Sequence, residues 1–459
     1  MIDEKLEAYS EMDYYPFHMP GHKRHPLDFK NPYEIDITEI PGFDNLHEPT
    51  EDLLELEKQW AQLYGAKEAF VMVNGSTGGN LTAMFSALEP GGELLMARNC
   101  HSSVYRGAYL KNVKVHYIYP ELISVDGGEI SGKILPEDLE KILDENPKIQ
   151  VFLLTSPTYE GIISDIENLV KIAHTKGVKV IVDCAHGAHF GLFDSPYQNP
   201  ITLGADLVVL SLHKTLPAFT STALLLKGKD SQISTEKIRF YLDCFETSSP
   251  SYVLVSSVAK CYKYLEKSGK SAFVKYRDNL NEFYKETKGL NKLKILSFDD
   301  MDKGKLLIST GGYLTGPKLA EQLREDYHIE TEMSCESYCL AMTSIMDTKE
   351  GFCRLSRALL EIDAKLSKSN KKTESIITYP KPISVMSMKE AIEGNQSYRN
   401  FENSKDCVSA GFVGFYPPGI PILTPGELIT GEILRIIKAG MEKGLIVTGL
   451  EDRGILIVD

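Results

Sequence analysis

The sequence predicts an α/β protein whose main domain is built on a mostly parallel β-sheet between helices. Three observations support this class: short apolar runs alternate with segments of helical periodicity, glycines end several of those segments, and polar clusters follow the apolar runs. Seven runs are predicted to be strands, at 68–73, 93–97, 113–118, 149–155, 178–182, 205–210 and 222–226. Because ligands of such sheets bind at the carboxyl ends of strands, the polar clusters mark one candidate site.

The composition is that of a soluble globular enzyme with more than one domain. The chain has 459 residues, of which 42% are hydrophobic and 25% charged, and its formal net charge is −14. The negative charge argues against non-specific nucleic-acid binding and suits a cationic substrate. No apolar run is long enough for a membrane span, the acidic N-terminus does not resemble a secretory signal, and the scattered cysteines favour a reducing cytoplasm. Cys335 and Cys339 lack a second pair, so no metal site is predicted.

The first 50 residues are irregular and rich in His, Pro and Gly, as in FHMPGHKR (17–24) and GFDNLHEPT (42–50). Such a stretch is compatible with a solvated surface loop, or with an arm that covers a partner subunit or an active site. Composition alone favours the surface loop.

Regular structure begins at 51–65, an amphipathic segment that ends at Gly65 and predicts a helix. After the first strand, Asn74-Gly-Ser-Thr-Gly-Gly-Asn80 precedes a predicted helix at 81–88. This order of strand, glycine-rich turn and helix suits a phosphate cradle, although a plain βα turn would use glycine in the same way. The turn lacks the lysine of a nucleotide P-loop and the GxGxxG spacing of a dinucleotide fold.

Further predicted helices at 102–111, 136–145 and 165–176 alternate with the strands, and polar clusters follow the strands at His101, at Asp183-Cys-Ala185-His186 and at Ser211-Leu-His213-Lys214. Lys214 lies between two buried strands, where an unpaired ammonium is costly. Taken alone, it would most simply reach solvent at a sheet edge. The alternative is a Schiff-base lysine, since burial favours the neutral amine that condenses with an aldehyde.

Together these clusters supply what pyridoxal 5′-phosphate requires. Lys214 would hold the aldehyde, Asp183 would pair with the pyridinium nitrogen, and His101 and Ala185 would pack on opposite faces of the ring. Hydroxyl and imidazole groups would bind the phosphate, at Ser76, Thr77, Ser211 and His213.

Eight motifs of this chain resemble those of the Orn/Lys/Arg decarboxylase family, and together they extend over nearly the whole chain. In chain order they are HMPGHK, DNLHEPT, NGSTGGNL, RNCHSSV, VDCAHGAHF, SLHKTLPA, TSSPSY and FYPPGIPILTPGE. The resemblance implies a fold-type I pyridoxal phosphate enzyme of the short form, without an N-terminal wing domain. It implies the roles above, with Ser248, or Thr247 as the next choice, reaching the phosphate of a neighbouring subunit. His186, from the polar cluster after the strand at 178–182, is a further candidate for the cofactor site. The chain departs from the family pattern at Ser102, Cys184 and Leu212, which puts substrate choice in doubt more than activity.

Beyond residue 250 the pattern predicts helices at 252–268 and 273–288, an exposed linker near 367–375 and a helix at 426–440. The predicted domains are an arm at 1–50, a large cofactor-binding domain at 51–270 and a smaller C-terminal α+β domain at 271–459. Glu427 and Glu48 are candidates for binding the distal amine or guanidinium of the substrate. Glu427 is equally compatible with a glutamate in the first turn of its helix.

The function expected from the resemblance is decarboxylation of arginine, lysine or ornithine in polyamine biosynthesis, by a cytoplasmic homodimer or larger homo-oligomer with shared active sites. His213 or a cysteine in the C-terminal part are candidates for the proton donor. The alternatives are an aminotransferase or lyase of the same fold, with Arg354 or Arg357 binding the α-carboxylate, and a non-catalytic binding protein. The intact pair Lys214 and Asp183 argues against the last of these.

Overall fold

The computed structural model describes residues 1–126, 128–367, 381–416, 420–442, 445–451 and 454–459. Its centre is a seven-stranded sheet, whose strands are numbered here in chain order: β1 (Glu68–Met72), β2 (Glu93–Ala97), β3 (Lys114–Ile118), β4 (Ile149–Thr155), β5 (Lys179–Asp183), β6 (Leu207–Ser211) and β7 (Ala223–Lys227). The spatial order is β1-β7-β6-β5-β4-β2-β3. The predicted seven-stranded sheet is therefore confirmed.

Only β7 is antiparallel to its neighbours; it pairs with β6 through Ala223 and Ser211 and with β1 through Ala223 and Met72. The sequence between β6 and β7 contains a single helical turn, Leu212–Thr215, which is too short for a parallel crossover. This direct return places Lys214 at the carboxyl end of β6, in the middle of the sheet.

Helices pack around this sheet, and six of its strands are mostly buried because they are rich in Val, Leu, Ile and Ala. The edge strand β3 is more polar and only partly buried. The helices of the first 290 residues are Ile2–Glu11, Pro32–Ile35, Asp52–Tyr64, Gly75–Ala87, Ser102–Lys111, Pro136–Glu145, Ile166–Thr175, Leu212–Thr215, Thr235–Phe245 and Tyr252–Glu286, with 3₁₀ turns at Pro200–Leu203 and Thr287–Gly289. Two further strands, Leu122–Val125 and Gly128–Ser131, form a separate hairpin.

A second sheet has four strands, Lys294–Leu296, Lys305–Ser309, Tyr338–Met342 and Met333–Ser334, and packs with helices Gly316–Tyr327 and Lys349–Lys365. The last part of the chain has helices Met388–Glu393 and Gly431–Glu442, a 3₁₀ turn at Phe401–Asn403, and strands Gln396–Arg399, Val413–Tyr416, Pro421–Leu423, Ile446–Thr448, Leu450–Glu451 and Gly454–Val458. The second sheet matters for function because its strand Lys305–Ser309 reaches the candidate site.

The two helices predicted at 252–268 and 273–288 are one continuous helix, Tyr252–Glu286. The predicted break between residues 268 and 273 was wrong, because Gly269 lies inside the helix and serves close packing. A Cβ at Gly269 would come within 2.3 Å of the Phe193 ring. The helix runs across the boundary proposed at residue 270, so that domain division stays a prediction.

Residues 15–24 are not the solvated surface that composition favoured. Strand Tyr15–Phe17 pairs in parallel with Ile329–Thr331, and Phe17 is fully buried. The Lys23 ammonium donates to the carbonyls of His18 and Met342 at 2.8 Å each. The HMPGHK motif is therefore packed inside the chain.

The helix predicted at 426–440 begins at Gly431, so Glu427 does not lie in its first turn. The interpretation of Glu427 as a helix-dipole residue is wrong for this reason. The linker predicted near 367–375 lies almost entirely outside the described residues. Within the described part of the chain, no helix is long and apolar enough to cross a membrane.

Candidate active site

A cavity of about 200 Å³ opens where the carboxyl ends of the parallel strands meet. It brings together six of the predicted site residues: Ser76, His101, Asp183, Ala185, His186 and Lys214. The remaining lining residues are Met19, Asn99, Ser131, Thr155, Thr158, Tyr159, Glu160 and Ile420. Two buried polar atoms on its wall, Asn99 Oδ1 and Thr155 Oγ1, have no hydrogen-bond partner in the described structure, so the cavity has unused capacity to bind a polar ligand.

Lys214 follows β6 by three residues and lies in the one-turn helix Leu212–Thr215. Its Nζ is 3.0 Å from Nε2 of His186. Within the described structure no carboxylate oxygen lies within 4.0 Å of this amine. Burial lowers the pKa of Lys214, although Asp183 and Glu332 act in the opposite direction. The arrangement favours a reactive neutral amine over a surface cation.

Asp183 ends β5 and points into the same cavity. Its Oδ2 accepts a hydrogen bond from Asn80 Nδ2 at 2.9 Å, and its Oδ1 accepts one from the backbone N–H of Ala185 at 3.2 Å. Asn80 was not among the predicted residues, although it follows directly after the glycines of the first βα turn. Two bonds from different elements fix the orientation of the carboxylate.

The glycine-rich turn is tighter than predicted, because helix Gly75–Ala87 begins within it. Gly75 has a φ of +69°, and the Ser76 side chain follows at the helix N-terminus. The Ser211 hydroxyl donates to Ser76 Oγ at 2.9 Å, which joins the ends of β1 and β6. Thr77 lies in the same helical turn but is exposed and does not line the cavity.

His213 does not line the cavity; its Nδ1 is 3.0 Å from the carbonyl oxygen of Thr222, so Nδ1 carries the proton. Burial lowers the pKa of His213 to about 4. His101 caps helix Ser102–Lys111, where its Nδ1 accepts from the Ser103 N–H at 3.2 Å. This bond leaves the His101 ring at the cavity wall with a fixed tautomer.

Four residues that sequence reasoning missed surround these groups: Lys305, Tyr159, Glu160 and Glu332. The Lys305 Nζ lies 2.5 Å from His186 Nδ1, and the Tyr159 hydroxyl donates to Glu332 at 2.5 Å. Lys305 and Glu332 come from the second sheet region, far away in sequence. Tyr159 and Glu160 follow β4 directly, so the rule of polar clusters at strand ends would have found them.

The three remaining predicted residues lie outside the cavity lining. Glu427 is about 1% exposed and binds Arg98 through both carboxylate oxygens, at 2.9 and 3.0 Å. Glu48 and Ser248 are exposed. The geometry gives Glu427 a structural part in this chain, and the substrate and cofactor contacts of all three stay predictions.

A lysine at the end of a central strand, an oriented aspartate on the neighbouring strand, and a helix N-terminus bearing a serine define the class of fold-type I pyridoxal phosphate enzymes. Comparison with solved structures supports this fold. A lysine decarboxylase from Francisella novicida superposes with a TM-score of 0.79 at 18% identity, covering 99% of this chain and 80% of that one.

Residues 2–303 match the family model described as Orn/Lys/Arg decarboxylase, major domain. An arginine decarboxylase from Bacillus anthracis is 30% identical over 97% of this chain and 94% of its own length. An arginine decarboxylase from Halalkalibacterium halodurans is 30% identical over 95% of this chain and 92% of its own length. The chain belongs to the Orn/Lys/Arg decarboxylase family, and it is a pyridoxal phosphate-dependent amino-acid decarboxylase.

Proposed function

We propose that this enzyme removes the α-carboxyl group of a basic L-amino acid as carbon dioxide, with arginine as the first candidate and lysine and ornithine as alternatives. The observation that carries the proposal is the cavity in which the Lys214 amine and the Asp183 carboxylate lie together. The choice of arginine is supported by the two curated relatives, which are named arginine decarboxylase. Glu160 is buried on the cavity wall; burial raises its pKa, and a cationic substrate beside it would favour its charged form.

The residues of the cavity fit pyridoxal 5′-phosphate. Lys214 would attach to its aldehyde, and Ser76 with Ser211 would bind its phosphate beside the N-terminus of helix Gly75–Ala87. The small side chain of Ala185 and the ring of His101 would lie against its two faces. When bound, this cofactor supplies an electron sink for the electron pair that departing carbon dioxide leaves behind.

The protein's own part is orientation and charge. Asp183 accepts bonds from Asn80 and from the Ala185 N–H, so its carboxylate stays aimed at the position of the ring nitrogen and favours a proton there. Burial lowers the pKa of Lys214 and so favours the neutral amine, the form in which it is a nucleophile. The single N–H of the neutral His213 ring is used by the Thr222 carbonyl, which leaves Nε2 as a hydrogen-bond acceptor, so a contact of His213 with the phosphate stays a prediction.

The aminotransferase alternative receives no support from the two arginines that it would need. Arg354 forms an ion pair with Asp13 near the protein surface, and Arg357 is exposed on the same helix. Neither is among the residues that line the cavity, and no arginine is among the described lining residues. A carboxylate clamp is therefore missing from the described cavity wall.

The test is release of carbon dioxide from arginine, lysine and ornithine by the purified protein with added cofactor. We expect the corresponding amine in equal amount from at least one of the three. Formation of a 2-oxo acid without carbon dioxide would overturn the proposal in favour of transamination. A parallel assay of Lys214→Ala should show no product with any of the three, since this variant lacks the attaching amine.

A further inference from the structure

His186 bridges two lysines that approach it from different parts of the fold. Its Nε2 lies 3.0 Å from the Nζ of Lys214, and its Nδ1 lies 2.5 Å from the Nζ of Lys305. His186 is 5% exposed and Lys305 is 1% exposed. Lys214 follows β6 of the central sheet, whereas Lys305 begins a strand of the second sheet. One imidazole therefore connects the candidate Schiff-base lysine to a second, fully buried amine.

The hydrogen bonds of this bridge limit how many protons it holds. A neutral imidazole has one N–H donor and one acceptor nitrogen. Burial, reinforced by the two lysines, holds the pKa of His186 well below its usual value, so the ring is neutral. Two ammonium groups would both have to donate, but one ring nitrogen already carries a hydrogen. While both bonds are kept, at most one of the two lysines is charged.

The charged groups around the bridge make both positions of that proton accessible. Asp302, Glu332 and Glu160 favour a proton on Lys305, and Asp183 and Glu332 favour one on Lys214. Burial lowers the pKa of both amines, that of Lys305 to about 7. Among the described residues, the other titratable groups that face His186 are His101, His213 and Tyr159, whose ring centre lies 4.9 Å from that of His186.

The surroundings of Lys305 suit a proton acceptor rather than a structural ion pair. Within the described residues its Nζ has no carboxylate oxygen within 4.0 Å, and its hydrogen-bond partner is His186. The amine lies 5.6 Å from the ring centre of Tyr159, and Gly161 packs against its aliphatic stem. By contrast, the buried Lys227 is paired with Glu68 at 3.1 Å.

We propose that Lys305 is a positioning residue for Lys214 that acts through His186, and that the two lysines share one proton along this bridge. When Lys214 gives up its ammonium proton to Nε2, Nδ1 passes its own proton to Lys305, and the charge moves without entering solvent. Lys214 is then a free amine even at a pH at which an isolated lysine would be charged. This inference rests on the proposed function, in which that amine attaches to the cofactor aldehyde.

The relay predicts a distinctive pH profile for cofactor attachment. If the two lysines share one proton, a constant fraction of Lys214 stays uncharged once the pH is low enough for the pair to have bound that proton. The reason is that part of the molecules hold the proton on Lys305. Without Lys305, that fraction falls about tenfold for each pH unit below the pKa of Lys214. The two proteins should therefore diverge towards low pH.

The experiment measures attachment of pyridoxal 5′-phosphate to the cofactor-free protein by stopped-flow absorbance between about pH 5.5 and pH 9. The native protein is compared with Lys305→Met, His186→Gln and the control Lys227→Met, which removes a buried lysine near the opposite end of β7. The ratio of the variant rate to the native rate cancels the titration of the cofactor itself. We expect that ratio to fall at least about fivefold per pH unit on the acid side for Lys305→Met and His186→Gln, and to stay flat for Lys227→Met.

A flat ratio for either folded test variant would overturn the relay, and each of the two is sufficient for the test. The native protein alone also tests the relay. If its rate of cofactor attachment falls about tenfold per pH unit, as for a single solvent-exposed lysine, the relay is overturned. If no protein attaches the cofactor at any pH, the proposed function fails instead. If all of them attach it with superimposable profiles, only the relay fails.

Discussion

Replacing Glu427 by glutamine should destabilise the protein by several kcal/mol, because it breaks a buried ion pair from one side. Both side chains are about 2% exposed. The Glu427 carboxylate binds Arg98 at 2.9 and 3.0 Å and also accepts from the Thr424 N–H at 2.7 Å. The substitution removes the negative charge while Arg98 remains buried.

The expected loss of stability follows from the contacts that Arg98 would keep in the variant. It still donates to the carbonyl of Ile422 at 3.0 Å and lies 4.7 Å from the centre of the Tyr117 ring, but neither contact neutralises its charge. Breaking one side of a buried pair costs about 3–5 kcal/mol. At about 2–4 °C per kcal/mol for a cooperative unit of about 150–250 residues, the unfolding midpoint should fall by at least about 6 °C.

The assay is thermal unfolding of Glu427→Gln beside Glu432→Gln, which makes the same change at an exposed position in the neighbouring helix. The double variant Arg98→Met/Glu427→Gln should recover part of the loss, since it leaves no unpaired charge. If Glu427→Gln unfolds at the same temperature as Glu432→Gln but has a raised KM for the basic substrate, our reasoning is wrong. Glu427 would then be the substrate ligand suggested by its place in the PGE motif.

Three further predictions concern the cofactor, the arm and the assembly. Asp183→Asn should retain bound cofactor by absorbance but lose at least about 100-fold in turnover, and near-normal turnover would exclude its role at the ring nitrogen. Gly21→Ala places a Cβ 2.8 Å from the backbone carbonyl oxygen of Leu216, directly after the helical turn of Lys214, and should cost about 1–3 kcal/mol of stability. Gly431→Ala should cost little, since its Cβ would meet only the end of the Lys405 side chain at an ordinary 3.6 Å, and equal midpoints for the two variants would contradict the packing. If active sites are shared, mixing inactive Lys214→Ala chains with inactive Ser248→Ala chains should restore partial activity, and proven hybrids without activity would remove Ser248 from a shared site.

The strands and most of the cavity were predictable because they depend on local patterns. β2 and β4 have the predicted bounds, and polar clusters at strand ends led to Asp183, His186 and Lys214. The parallel arrangement makes this rule effective, since residues after different strands meet at one sheet edge.

Other features were not predictable because they depend on tertiary contacts. Glycine often ends a helix, but Gly269 lies inside one, where the Phe193 ring leaves no room for a side chain. Glu427 resembles a helix first-turn residue or a ligand, but an arginine 329 positions away takes its carboxylate. Lys305 begins an apolar strand, and the mostly charged stretch 299–303 precedes that strand instead of following it. The rule of polar clusters at strand ends therefore does not select Lys305, and only the folded chain reveals its bond to His186.

The helical turn Leu212–Thr215, which carries Lys214, is held by contacts from two distant parts of the chain, and this affects cofactor binding. The Gly21 N–H donates to the carbonyl of His213 at 2.6 Å, and the Ser344 hydroxyl donates to the carbonyl of Gly21 at 2.6 Å, so the N-terminal arm ties the turn to the loop after the second sheet. Lys305 reaches the same turn through His186. A ligand that binds only when these contacts are made must stabilise them in return. Attachment of the cofactor should therefore protect the arm and the second sheet, as well as the central sheet, against unfolding.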